Sequence, residues 1–213
     1  MTKRVTIIDY GIGNLYSVRR AVEVSGGEDI RVSGRPEDIA EADKLILPGV
    51  GAFEDGMNGL RERGLVPHVI AAARAGKPLL GICLGMQLLA TTSEEFGLHS
   101  GLGLIPGEVK PIPRMSIDGD ALKVPFIGWS PLILNARHPS EEGCLANVQG
   151  KAVYLVHSYQ LEPNDPTHLL ASYSIGGHMI TAAVRHGNVT GVQFHPEKSG
   201  AVGLQIMREF IGA

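Results

Sequence analysis

From Pro78 to Ser93 the chain carries no Asp, Glu, Lys or Arg. The stretch is shorter than the ~20 apolar residues of a membrane span. It reads instead as a buried strand, Pro78 to Ile82, followed at once by a buried helix, Leu84 to Ala90. A strand with no polar face must be covered on both sides by helices and flanked by strands like itself. The sequence supplies both. Val5-Thr6-Ile7-Ile8-Asp9, the weaker Ile30-Arg31-Val32 and Lys44-Leu45-Ile46-Leu47 read as strands. Leu15 to Ser25, a short segment opened by Pro36 and followed by acids, and Leu65 to Ala75 (stopped by Gly76) read as helices between them. The alternation predicts a mostly parallel sheet flanked by helices.

After about Gly97 the texture changes to short apolar runs separated by turn signals. Val109 to Ile112, Leu132 to Leu134, Ala152 to Val156, Leu169 to Tyr173, Met179 to Val184 and Val189 to Phe194 predict a strand-rich, partly antiparallel second half. Gly203 to Ile211 predicts a closing helix. No linker or repeat divides the two textures, so residues 1–213 are expected to form one domain. Lys and Arg number 19 against 22 Asp and Glu, which excludes the basic footprint of a nucleic-acid binder. Two cysteines are too few for a disulfide framework. The first residues lead straight into a strand rather than a signal peptide, and a cytoplasmic protein without a membrane anchor is expected.

Gly81-Ile82-Cys83-Leu84-Gly85-Met86-Gln87 has the pattern of a nucleophile elbow with sulfur in place of a hydroxyl. Small residues flank the cysteine because the turn is tight and the helix lies against the strand. A helix N-terminus favours thiolate, and the Leu84 N–H is left free for an oxyanion. A buried structural cysteine has the same local appearance. Cys144 has no such frame. Among the histidines, His68, His99, His138, His168, His178 and His186 stand in polar or turn-like surroundings without a telling acid. His195 ends a strand in Gly191-Val192-Gln193-Phe194-His195-Pro196-Glu197. Extended backbone would put Glu197 on the same side as His195, where it could orient the imidazole as a base for a thiol. An ordinary His-Pro-Glu turn is the competing reading. Pro48-Gly49-Val50-Gly51-Ala52-Phe53 and Tyr10-Gly11-Ile12-Gly13-Asn14 follow strands at the carboxyl edge of the sheet, where ligands bind. The second lacks the third glycine and the acid of a dinucleotide fingerprint.

Together these motifs, with Val156-His157-Ser158-Tyr159 and Lys198-Ser199, resemble the class I (triad) glutamine amidotransferases over nearly the whole chain. Within that family they resemble the glutaminase subunits that serve a (β/α)8-barrel cyclase of histidine biosynthesis. The resemblance implies a flavodoxin-like α/β fold and hydrolysis of L-glutamine to glutamate and ammonia. It implies a catalytic triad of Cys83, His195 and Glu197, and an oxyanion hole from Val50, Gly51 and Leu84. Gly51, Gln87, Ser158 and Tyr159 would hold glutamine, with His157 structural. No cofactor and no metal are implied. The cyclase subunit is the implied partner in a heterodimer, with Asn14, Phe126 and Trp129 near the interface and ammonia exit. One segment departs from the family: its Pro-His-x-Gly-Trp-Asn is here Pro125-Phe126-Ile127-Gly128-Trp129-Ser130. That departure leaves room for another synthase as partner, such as a surface-sugar-modifying enzyme.

Overall fold

In the computed structural model, which describes residues 3–137 and 143–212, the first half alternates as its apolar runs require. It comprises β1 (Arg4–Ile8), α1 (Leu15–Val24), β2 (Asp29–Ser33), α2 (Pro36–Glu41), β3 (Lys44–Gly49), α3 (Phe53–Glu62), α4 (Val66–Arg74), β4 (Leu79–Cys83) and α5 (Leu84–Leu88). Strands then dominate: β5 (Ala90–Ser93), β6 (His99–Ser100), β7 (Ile105–Pro111), β8 (Phe126–Pro131), β9 (Ile133–Leu134), β10 (Ala152–His157), β11 (Tyr159–Pro163), β12 (Leu169–Ile175), β13 (His178–His186) and β14 (Val189–Val192). Helix α6 (Gly200–Gly212) closes the fold.

The main sheet has the order β2-β1-β3-β4-β14-β13-β12-β9. Its first five strands are parallel and the last three antiparallel. Every residue of β3 and β4 is buried. Their side chains alternate between two cores, as a period of two demands. Ile7, Ile46, Leu80 and Ile82 pack with Val18 and Val22 of α1 and Ile206 and Met207 of α6. Ile8, Leu45, Leu47 and Leu79 pack with Ile39, Phe53, Leu60 and Val69 on the other face. The buried Lys44 donates from Nζ to the Phe210 carbonyl at 2.6 Å, tying β3 to the last turn of α6, and burial lowers its ammonium to about 8.

Several expectations are corrected. The helix expected to Ala90 stops at Leu88, because Ala90 enters β5 and pairs with β7. Helix α3 was not expected: Gly56 and Gly59 weaken its helical signal. They are there because a Cβ at Gly59 would come within 2.7 Å of the Tyr10 carbonyl oxygen, and one at Gly56 within 3.1 Å of Leu84 and Leu88. Strands β8 and β11 have no clear sequence signal, since each carries proline and polar residues and pairs outside the main sheet. His138 lies outside the described residues.

Candidate active site

Strand β4 ends on Cys83, whose backbone adopts φ 54° and ψ −114°. A non-glycine residue with positive φ is strained and needs its surroundings to hold it. Two glycines provide that hold. A Cβ on Gly85 would strike the Leu47 carbonyl, and one on Gly81 would lie 2.7 Å from the Gly85 oxygen. Helix α5 therefore sits directly on the sheet, and Cys83 is delivered at its N-terminus. The parallel pairing of β4 with β3 sets Gly49 beside Cys83, so the Val50-Gly51 turn follows immediately. Gly51 has φ 97° in open space, and Val50 is exposed. Tyr10, buried after β1, donates its hydroxyl to the Pro48 carbonyl at 2.8 Å and braces this turn.

Strand β14 pairs with β4 on the other side, Val192 opposite Ile82, and carries His195 to the same edge. His195 is 2% exposed, and its Nδ1 lies 2.7 Å from Glu197 Oε1. Extended backbone would set Glu197 beside His195 in an i, i+2 relation. Instead Pro196–Lys198 form a 3-10 turn after an extended His195, and the turn folds the carboxylate back onto the ring. Ser199 locks it, accepting from Tyr154 N–H and donating to the His195 carbonyl. Burial alone would lower the imidazole pKa. The Cys83 sulfur and the Glu197 carboxylate beside it outweigh burial and raise it to about 9. His195 Nε2 is buried and takes no hydrogen bond among the described residues.

Cys83 and His195 open onto one cleft of about 250 Å³, lined also by Val50, Gly51, Leu84, Gln87, Ser158 and Tyr159. The structure thus brings the sequence-predicted nucleophile, base, oxyanion and substrate groups together. Gln87 Nε2 donates to the Tyr159 carbonyl and to Gln193 Oε1, both at 3.0 Å. The Tyr159 carbonyl is further occupied by His157 Nδ1 at 2.8 Å. His157 Nε2 meets the Tyr173 hydroxyl at 2.8 Å, and burial lowers its pKa to about 4. Both nitrogens are engaged, so this ring is a neutral buttress. Cys144 is buried and its thiol is pushed up to about 11.

Two groups at the site have no role predicted from the sequence, Gln193 behind Cys83 and Glu95 in the cleft lining. Gln193 is fully buried beside Cys83, with Nε2 3.9 Å from Sγ; a polar residue in a buried strand end was the available signal. Glu95 accepts from Phe53 N–H at 2.7 Å, and its carboxyl is raised by burial. Its signal was only an acid just past the uncharged stretch.

Asn14 caps α1 by accepting from Ser17 N–H at 3.2 Å and is exposed. Phe126 packs on Tyr173, ring centroids 5.2 Å apart. Trp129 is 56% exposed and meets Tyr154 edge-on at 6.0 Å. Ser130 is buried. The other described histidines range from exposed to half-buried. His99 faces Glu54 at 3.6 Å, and the His168 and His186 rings lie 4.5 Å apart, tilted at 46°. None of them lines the cleft. Among the described residues no cluster suits a metal ion, and no helix is long and apolar enough to cross a membrane.

The family model described as "Glutamine amidotransferase class-I" matches residues 6–212. The chain belongs to the class-I glutamine amidotransferases. An "Imidazole glycerol phosphate synthase subunit HisH 1" of Legionella pneumophila (strain Lens) is 46% identical to this amidotransferase over 211 residues, 97% of this chain and 98% of that one. An "Imidazole glycerol phosphate synthase subunit HisH" of Geobacillus sp. (strain WCH70) is 50% identical over 206 residues, covering 97% and 95%. Among solved structures, PurLQS from Thermotoga maritima superposes with a TM-score of 0.75 at 21% identity, over 100% of this amidotransferase and 99% of that chain. Another glutamine amidotransferase does so with 0.70 at 20%, over 98% and 99%. At such identities these likenesses concern the fold.

Proposed function

We propose that this chain, acting as one domain, is the glutaminase subunit of an imidazole glycerol phosphate synthase. It hydrolyses L-glutamine and passes ammonia to a (β/α)8-barrel cyclase subunit in a heterodimer. The observation that carries the chemistry is Cys83, at φ 54° on its elbow, sharing one cleft with a His195 held 2.7 Å from Glu197.

The thiolate of Cys83 attacks the carboxamide carbon of glutamine. The resulting oxyanion is met by the Leu84 N–H and an N–H of the Val50-Gly51 turn. Protonated His195 gives its proton to the amide nitrogen, the C–N bond breaks, and ammonia leaves a Cys83 thioester. His195 then takes a proton from water, and the hydroxide attacks the thioester carbon. Glutamate departs, its new carboxyl losing a proton to solvent, and the Cys83 thiolate beside protonated His195 is restored. Glu197 keeps the Nδ1 proton in place and steadies the imidazolium. Gln87 has both amide protons committed inside the protein, so its Oε1 is the atom for a substrate donor. The Glu95 carboxylate is suited to the substrate ammonium.

Ammonia released into neutral water becomes ammonium and loses its nucleophilicity, which favours a covered exit into the partner. Asn14, Phe126 and Trp129 are assigned to that side. The synthase name is borne by the 46% and 50% identical relatives over nearly their whole length. This favours the cyclase over another synthase despite Phe126 and Ser130.

The test is glutamate release by the chain alone, with the cyclase subunit, and with that subunit plus its nucleotide ligand. A large rise in the full mixture, abolished in Cys83→Ala, is expected. No response to the cyclase would refute this partner, and activity surviving in Cys83→Ala would refute the mechanism.

A further inference from the structure

Cys83 Sγ has two polar neighbours besides the imidazole, and they favour opposite states of the sulfur. The Val156 carbonyl oxygen at 4.0 Å can only accept, so it suits the neutral thiol. Gln193 Nε2 at 3.9 Å donates, so it suits the anion. A side-chain amide presents nitrogen or oxygen depending on how it is turned. Here the turn is fixed by the neighbour: Gln87 Nε2 donates to Gln193 Oε1 at 3.0 Å, and Gln87 is itself anchored on the Tyr159 carbonyl at 3.0 Å. With its oxygen committed to Gln87, Gln193 has its nitrogen towards sulfur. Its full burial leaves no water to compete. The backbone supports the same placement, since Val192 pairs with Ile82 and the next residues are Gln193 and Cys83.

We propose that Gln193 is a further catalytic residue, whose amide N–H, aimed by Gln87, holds the sulfur of Cys83 in its anionic form for attack. The N–H contact is long for the neutral thiol and shortens as charge develops, as catalytic hydrogen bonds do. Gln87 thereby acts as a positioning residue on the nucleophile as well as lining the cleft. The inference rests on the reading of Cys83 as nucleophile.

Alkylation of the sulfur by iodoacetamide, followed by mass spectrometry across pH, measures this without requiring glutamine. The other charged and titratable groups around the sulfur and its cleft, His195, Glu197, Tyr10, His157 and Glu95, are unchanged between variants. Gln193→Met keeps the length and removes the donor. Its Cys83 alkylation profile is expected to move about one pH unit higher, the tenfold effect of one hydrogen bond to an ion. Gln87→Met frees the Gln193 amide to turn and is expected to move the profile the same way by less. Cys144, buried and hard to ionise, stays unlabelled in every folded variant and so reports any unfolding.

Glutaminase assays of the complex accompany the labelling. Loss of hydrolysis in Cys83→Ala together with coincident alkylation profiles for Gln193→Met and the natural chain would overturn the role of Gln193 alone. Hydrolysis persisting in Cys83→Ala would overturn both readings.

Discussion

His157 and His195 are both nearly inaccessible, and their neighbours push them in opposite directions. His157 meets a carbonyl and a hydroxyl, so burial wins and its pKa falls to about 4. The unfolded chain binds a proton there that the folded one refuses. Its contribution to stability is therefore full above about 6.5 and is lost as pH falls towards 4, an amount of about 3 kcal/mol. His195 meets sulfur and a carboxylate, and its pKa rises to about 9. Its contribution is full below about 6.5 and is lost as pH climbs through 9. Between them the two rings place a stability maximum near pH 6.5. Thermal unfolding measured from pH 4 to 9 should show it, and His157→Gln should flatten the acid side while leaving the alkaline side unchanged. An acid side unaltered in that variant would refute the assignment.

Among the elements, the contact of α5 with the sheet tolerates no side chain. Gly85→Ala drives a methyl into the Leu47 carbonyl, and backbone cannot yield there without moving β3 or the elbow. The expected cost is above about 4 kcal/mol, seen as loss of cooperative unfolding or of expression. Gly212→Ala, at the end of α6 with nothing within 4 Å, should shift the thermal midpoint by less than about 2 °C.

That contrast also marks what the residue string revealed. Gly81 and Gly85 bracket Cys83 closely enough for the elbow to be read directly, because its cause is local. The His195–Glu197 pair was legible for a partly wrong reason: the residues were identified, but a 3-10 turn rather than an extended strand joins them. Helix α3 was hidden because its glycines answer to Tyr10 and α5, far away in sequence. Gln193 was hidden because its role depends on the amide of Gln87, 106 positions earlier. Interactions within a few residues could be read, whereas those made by the sheet order could not.

For the whole molecule, the outward face of the β8–β10 pair is the region to test for association. Ile127 and Trp129 are more than half exposed, and Trp129 pairs with Tyr154, over whose ring Lys198 Nζ lies at 5.9 Å. On the opposite face of the same strands, Val153 and Leu155 are buried in the core. With the cyclase as partner, Trp129→Ala should weaken the complex at least tenfold, about 1.4 kcal/mol. Unfolding of the free chain should barely change. Titration calorimetry giving an unaltered affinity would move the interface elsewhere.

The order β3-β4-β14-β13 also has a consequence for how the chain is made. Cys83 is synthesised more than a hundred residues ahead of His195 and Glu197. Until β14 arrives, one edge of β4 has no strand to pair with. A growing chain therefore exposes a bare sheet edge beside its thiol while it lacks the residues proposed to activate that thiol. Chemistry and closure of the sheet come with the same late segment, so a prematurely ended product can stick to its neighbours but cannot release ammonia.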